Sequence, residues 1–210
     1  MLLTECTSDV LGLLTGPIRV LSDIQVARTW CAETRSPVRN ARRLLRRMDA
    51  AGFLDLYRAL VHPELTLDAP VLSWAEGGPV PDFAHAAHLL KRRWAMAPVL
   101  TTCVCATARA RSLFGGLGRR PREVELTHDL HLSALFLRLR ERDPVAAAHW
   151  CSEEQIRRER VHLDERVPDA IVRIPGTPPR VVEFGGAYKK QKLEAFHDYC
   201  ELESLAYEIW

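Results

Sequence analysis

The sequence predicts an α+β protein of two parts: an N-terminal helix-turn-helix with β-strands behind it, then a C-terminal core of order α-β-β-β-α-β. Three observations predict it. Two capped helix starts, at Ser22 and Ser36, stand close together near the N-terminus. Charge divides along the chain, with 17 Lys/Arg against 10 Asp/Glu in residues 1–122 and 12 against 17 in residues 123–210. The last third alternates β-favouring runs and turn signals with two long helical stripes.

The composition, 47% hydrophobic and 27% charged with a net charge of +2 over 210 residues, is that of a globular chain rather than a disordered one. No apolar run approaches the ~20 residues of a membrane helix. The N-terminus lacks the basic start and cleavage site of a signal peptide. Six cysteines without CxxC pairing fit reduced thiols in a cytoplasmic protein with no membrane partner. The expected division is 1–78, 79–126 and 127–210.

Ser22-Asp23-Ile24-Gln25 has capping-box spacing, so a helix starts there, with Ile24, Ala27, Trp30 and Cys31 at helical intervals. Ser36-Pro37 opens a second helix: a hydroxyl cap with proline where a missing N–H costs nothing. That helix runs to about Ala51 and stops at Gly52. Val38, Ala41, Leu44, Leu45 and Met48 form its apolar stripe. Arg39, Arg42, Arg43, Arg46 and Arg47 fill its other faces, Arg35 precedes it, and no acid lies between Arg35 and Met48. Residues 53–57 and 65–74 are β-favouring and separated by His62-Pro63-Glu64, as the strands of a wing are. This is the pattern of a winged helix, whose second helix meets phosphates and base edges in a major groove. Double-stranded DNA is the partner this face predicts; a solvated arginine surface is the bland alternative, and the missing i,i+4 acids weigh against it.

Residues 79–126 are expected to be a helical bridge and basic linker: a turn at Gly77-Gly78-Pro79, a helix over about 83–94, a helix or extended stretch over 99–114, then Gly115-Gly116-Leu117-Gly118 before Arg119-Arg120-Pro121-Arg122. Neither a phosphate loop nor a zinc knuckle is present, and Cys103 and Cys105 read as buried thiols.

In the C-terminal part a helix is expected over 128–142, ending before Pro144. A short strand follows at 146–150 and a charged helical turn at 153–160. Residues 168–174 and 180–184 form a hairpin around Pro175-Gly176-Thr177-Pro178-Pro179. A helix over 187–203 and a strand over 205–210 close the chain. Asp169 opens one hairpin strand and Glu183 stands near the end of the other, so both carboxylates come to one edge. Two such groups can hold Mg²⁺ or Mn²⁺ and lower the pKa of an attacking water.

With Pro168-Asp169 and Glu183 in the carboxylate positions, residues 127–210 resemble the PD-(D/E)xK phosphodiesterase fold. Where that pattern has a lysine two places after the glutamate, this chain has Gly185. Lys189 and Lys192, from the following helix, could substitute; the alternatives are a solvated helix start or a phosphate-binding patch without chemistry. Across most of its length the chain is similar to the replication-relaxation family. The similarity rests on Arg42-Arg43-Leu44-Leu45-Arg46-Arg47-Met48 ending at Gly52, on residues 72–78, on Val167-Pro168-Asp169-Ala170, and on Val182-Glu183-Phe184-Gly185-Gly186 with Lys192-Leu193 and Tyr199. It implies DNA binding in replication, relaxation or transfer of plasmid or mobile-element DNA, with a homodimer or replication and mobilisation proteins as partners. Two alternatives stand beside this: a metal-dependent endonuclease, and a non-catalytic scaffold that docks a protein.

Other groups point to function less strongly. His128 and His131 stand about a turn apart as a zinc pair would, without a third ligand. Asp129 could lean toward the carboxylate edge, and Glu153 or Glu154 could add a ligand. His197, beside Phe196 and Tyr199, reads as packed.

Overall fold

In chain order the elements begin α1 (Glu5–Thr15), β1 (Leu21–Ser22), α2 (Asp23–Trp30), α3 (Pro37–Ala50), β2 (Leu54–Val61), β3 (Leu72–Trp74), α4 (Phe83–Arg92), β4 (Val99–Ala106) and α5 (Ala108–Phe114). They continue α6 (Glu123–Arg142), α7 (Pro144–Ala148), β5 (Trp150–Ser152), α8 (Glu153–Glu159), β6 (Ala170–Val172), β7 (Arg180–Glu183), α9 (Lys190–Leu202) and β8 (Ala206–Ile209). The structure, a computed structural model, describes residues 3–116, 119–159 and 167–210. Leu117 and Gly118 of the expected linker and Arg160 of the expected helical turn lie outside them. The fold is mixed α+β with two sheets. No described helix is long and apolar enough to cross a membrane.

Two units divide the chain: residues 1–64 with 98–137, and residues 65–97 with 138–210. Residues 65–97 therefore interrupt the first unit between β2 and β4, and the expected boundaries at 78 and 126 fall inside units rather than between them. Charge follows the units, with 14 Lys/Arg against 10 Asp/Glu in the first and 15 against 17 in the second.

In the first unit α2 begins at the expected capping box: Ser22 Oγ accepts the Gln25 N–H at 3.1 Å, and Gln25 Oε1 accepts the Ser22 N–H at 2.9 Å. α3 opens on Pro37, but the Ser36 hydroxyl makes no cap hydrogen bond. Its end is as expected, with Gly52 left-handed at φ 74°. Ala41, Leu45 and Met48 are its buried residues. The sheet order is β1-β4-β2, with β4 antiparallel to both neighbours and its partnership with β2 running from Leu54↔Ala106 to Val61↔Val99. This corrects the expectation that residues 65–74 return beside 53–57. Leu72 and Trp74 instead turn their alternate side chains into the core of the second unit, where β3 pairs with β8. The undecided stretch 99–114 resolves into β4 and α5.

The second unit carries a sheet of order β3-β8-β7-β6-β5, parallel only between β7 and β8, which α9 connects as a crossover. Trp74, Phe83, Leu90, Ile171, Val181, Leu193, Phe196, Tyr207 and Ile209 share one core cluster. The expected strand at 146–150 is a helix over most of its length. Asp143 caps Ala146 N–H at 2.9 Å and Pro144 takes the first helical position, so the alanines wind into α7 before β5. α6 starts five residues earlier than expected, at Glu123.

Candidate functional site

The first candidate is the arginine face of α3. Residues 39, 42, 43, 46 and 47 repeat at i, i+3, i+4, i+7 and i+8, so they share one face, away from the buried Ala41–Leu45–Met48 stripe. All five are exposed, as is Arg35. Arg42 Nε donates to Asp23 Oδ2 at 2.6 Å, and the Asp23 side chain is 2% exposed against 50% for Arg42. Arg35, Arg39, Arg43, Arg46 and Arg47 make no ion pair among the described residues.

Tertiary structure adds residues that the sequence reading missed. A groove of about 400 Å³ lies between α3 and the antiparallel β2–β4 pair, lined by Arg42, Arg46, Leu56, Tyr57, Arg58, Leu100 and Thr102. Arg58 and Thr102 are cross-strand partners on β2 and β4. The β-favouring runs around them mark strands but not which strand pairs with which. Arg120 stacks on Tyr57 of β2 at 4.3 Å, and burial pushes the Tyr57 hydroxyl well above its ordinary range.

The second candidate is the carboxylate pair. Ala170↔Val182 is the last registered pair of β6 and β7, so Asp169 and Glu183 meet one step beyond it. Both lie on the face that carries Ile171 and Val181, two residues along each strand. Glu183 is 8% exposed and well supplied with donors. The Asp169 N–H reaches its Oε2 at 3.2 Å, and the Tyr188 hydroxyl donates to its Oε1 at 2.8 Å. Asp169 Oδ2 in turn accepts the Phe184 N–H at 2.8 Å. The carboxylates thus close the splayed end of the hairpin where ladder hydrogen bonds stop.

Lys192 Nζ sits 3.2 Å from the Tyr188 ring centroid, so a chain runs Lys192–Tyr188–Glu183–Asp169. Lys189 holds the N-cap position of α9, is exposed and is not drawn into that chain. Gly185 is a packing requirement: a Cβ there would stand 2.6 Å from Ile209 Cγ2 and 3.0 Å from Leu90 Cδ2. Leu90 of α4 fills the space that a lysine stem would need. The hard oxygens of Asp169 and Glu183 suit Mg²⁺ or Mn²⁺ by type, though at least three of the four already accept protein hydrogen bonds. Among the described residues no three His, Cys, Asp or Glu side chains group to hold a metal.

The remaining candidates have structural partners. Asp129 is buried and paired with Arg19 at 2.6 Å within the first unit, which corrects its expected lean toward the carboxylates. His131 is buried, with Nδ1 and Nε2 at 2.7 and 3.2 Å from the carbonyl oxygens of Thr127 and Pro63. Glu153 pairs with Arg157 at 2.7 Å. His197 is packed between Trp74, Phe83 and Tyr207, with Nδ1 3.1 Å from the Tyr207 hydroxyl. Cys103 and Cys105 are free thiols that burial pushes up to about 12 and about 11. Comparison with family models, with curated proteins and with solved structures returns no match for this chain.

Proposed function

We propose that the protein binds double-stranded DNA through its first unit, with α3 in the major groove and the β2–β4 strand pair against the neighbouring backbone. The order α1-β1-α2-α3-β2-β4 with a β1-β4-β2 sheet supports a winged-helix reading. One observation carries the proposal: a single helix face bears Arg39, Arg43, Arg46 and Arg47 without ion-pair partners among the described residues, and Arg46 and Arg58 line one groove beside it. Guanidinium groups left solvated in this way can each displace a counterion from a phosphate, which contributes about 0.9 to the salt slope. The resemblance to the replication-relaxation family points to the same ligand.

Fluorescence anisotropy against a labelled duplex, titrated with salt, tests this. Replacing Arg39, Arg43 and Arg47 together by alanine is expected to lower the slope of log K on log salt by about 3 and to weaken binding severely. Unchanged affinity and slope would reduce the face to ordinary surface.

A second reading, metal-dependent cleavage of phosphodiester bonds, is favoured by the chain Lys192–Tyr188–Glu183–Asp169. On that reading Asp169 and Glu183 hold a divalent cation, which lowers the pKa of an attacking water. Tyr188 orients Glu183, and Lys192 supplies positive charge that Gly185 cannot. Lys189 contributes charge at the helix start. Nicking of supercoiled DNA in Mg²⁺ or Mn²⁺, lost in EDTA and in both Asp169→Ala and Glu183→Ala, would establish it. DNA binding without nicking under any of these conditions would leave the first reading alone.

A further inference from the structure

One face of the antiparallel β2–β4 pair leaves the core and ends on exposed apolar side chains. Along it Leu54 is buried at 1% exposure and Leu56 half-buried; Arg58 is exposed and Leu60 stands 65% exposed. Opposite, Val104 is buried, Thr102 half-buried, and Leu100 is 53% exposed. Leu60 and Leu100 are cross-strand partners one pair beyond Arg58 and Thr102 in face order, and Leu100 also lines the arginine groove. Two large aliphatic side chains are thus exposed, one of them lining a groove with Arg46, Arg58 and the Asp23-paired Arg42.

Positive charge of this density selects a polyanion. The apolar faces a polyanion can offer to leucines are the flat sides of bases, and in duplex DNA these are covered by stacking. Aliphatic wedges reach them by opening a base step, which costs unstacking energy unless the step is already unpaired. We propose that Leu60 and Leu100 form an apolar wedge beside the arginine groove, and that the protein prefers DNA containing an unpaired or opened step over uniformly paired duplex. The inference rests on the DNA-binding reading and deepens it by naming the class of DNA.

The test compares a matched duplex with the same duplex carrying a three-nucleotide bubble, one bubble base being 2-aminopurine. The full chain is expected to bind the bubble about tenfold more tightly, since the unstacking cost is already met, and to change the 2-aminopurine emission. In a Leu60→Thr/Leu100→Thr variant the preference and the emission change should disappear. Threonine suits an exposed strand, so the variant's far-UV circular dichroism and urea midpoint should match wild type and report an intact fold. Equal wild-type affinity for the two DNAs, or a preference that survives in the variant, would overturn the wedge while leaving the arginine reading in place. So would a wild-type dimer that the variant converts to monomer in sedimentation, since a second copy would then be what covers the leucines. Wild-type protein that binds neither DNA at low salt would overturn both readings.

Discussion

Arg42 stands on the exposed arginine face of α3, yet it also neutralises a buried carboxylate, and this separates it from its neighbours. Asp23 Oδ2 accepts from Arg42 Nε at 2.6 Å with the aspartate side chain only 2% exposed. In an Arg42→Ala variant that carboxylate keeps its burial and loses its charged donor. A fully buried pair broken in this way costs about 3–5 kcal/mol, but half of the Arg42 side chain is exposed and water can follow it out. Loss of a hydrogen bond to a charged group, about 1.5–3 kcal/mol, is the appropriate scale, and about 2 kcal/mol the expected value. With an m-value of about 2 kcal/mol/M the urea midpoint of the first unit should fall by about 1 M. Arg39→Ala, Arg43→Ala and Arg47→Ala should each stay within about 0.5 kcal/mol of wild type, as surface substitutions do. Far-UV circular dichroism through a urea titration measures all four. Adding Asp23→Asn to Arg42→Ala should recover part of the loss, because the uncompensated charge is gone. An Arg42→Ala midpoint equal to that of Arg43→Ala would refute the reasoning and make the pair a surface contact of no energetic weight.

Two further outcomes follow from packing and protonation. Gly185→Ala should destabilise the second unit by about 1–3 kcal/mol through overpacking against Ile209 and Leu90; an unchanged midpoint, read from tryptophan fluorescence in urea, would mean that those neighbours give way freely. Burial lowers the His131 pKa, against the opposing pull of the Thr127 and Pro63 carbonyls, so the folded chain takes up this proton less readily than the unfolded one. Its contribution is therefore complete above about pH 6.5 and is lost as pH falls from there toward the lower folded pKa. The urea midpoint of wild type should accordingly drop more between pH 7.5 and 5.5 than that of His131→Asn, and equal drops would contradict it.

Local chemistry was enough to read much of this chain. The capping box at Ser22, the proline start and glycine stop of α3, and the arginine stripe between them depend on residues within four positions of one another. Asp169 and Glu183 were also legible, because a hairpin of short turn brings residues of fixed separation opposite each other once its register is set. Residues 146–150 were misread for the complementary reason. An alanine-rich run has no strong period of its own, and the Asp143 cap just ahead of it decided for helix.

Contacts between distant residues were decided only by the tertiary structure. β2 had two β-favouring segments as candidates for its partner, and the nearer one was taken into the second sheet because Leu72 and Trp74 find burial there. The true partner starts at Val99, beyond an interruption of more than thirty residues, and with it came Thr102 and Leu100 and so the groove itself. The same holds for Asp23 beneath Arg42 and for Leu90 against Gly185. A residue's helical phase and cap are set by its immediate neighbours, whereas a strand's partner, a buried charge's counterion and the space above a glycine are set by which surfaces exclude water together, and in this chain those surfaces come from segments far apart in sequence.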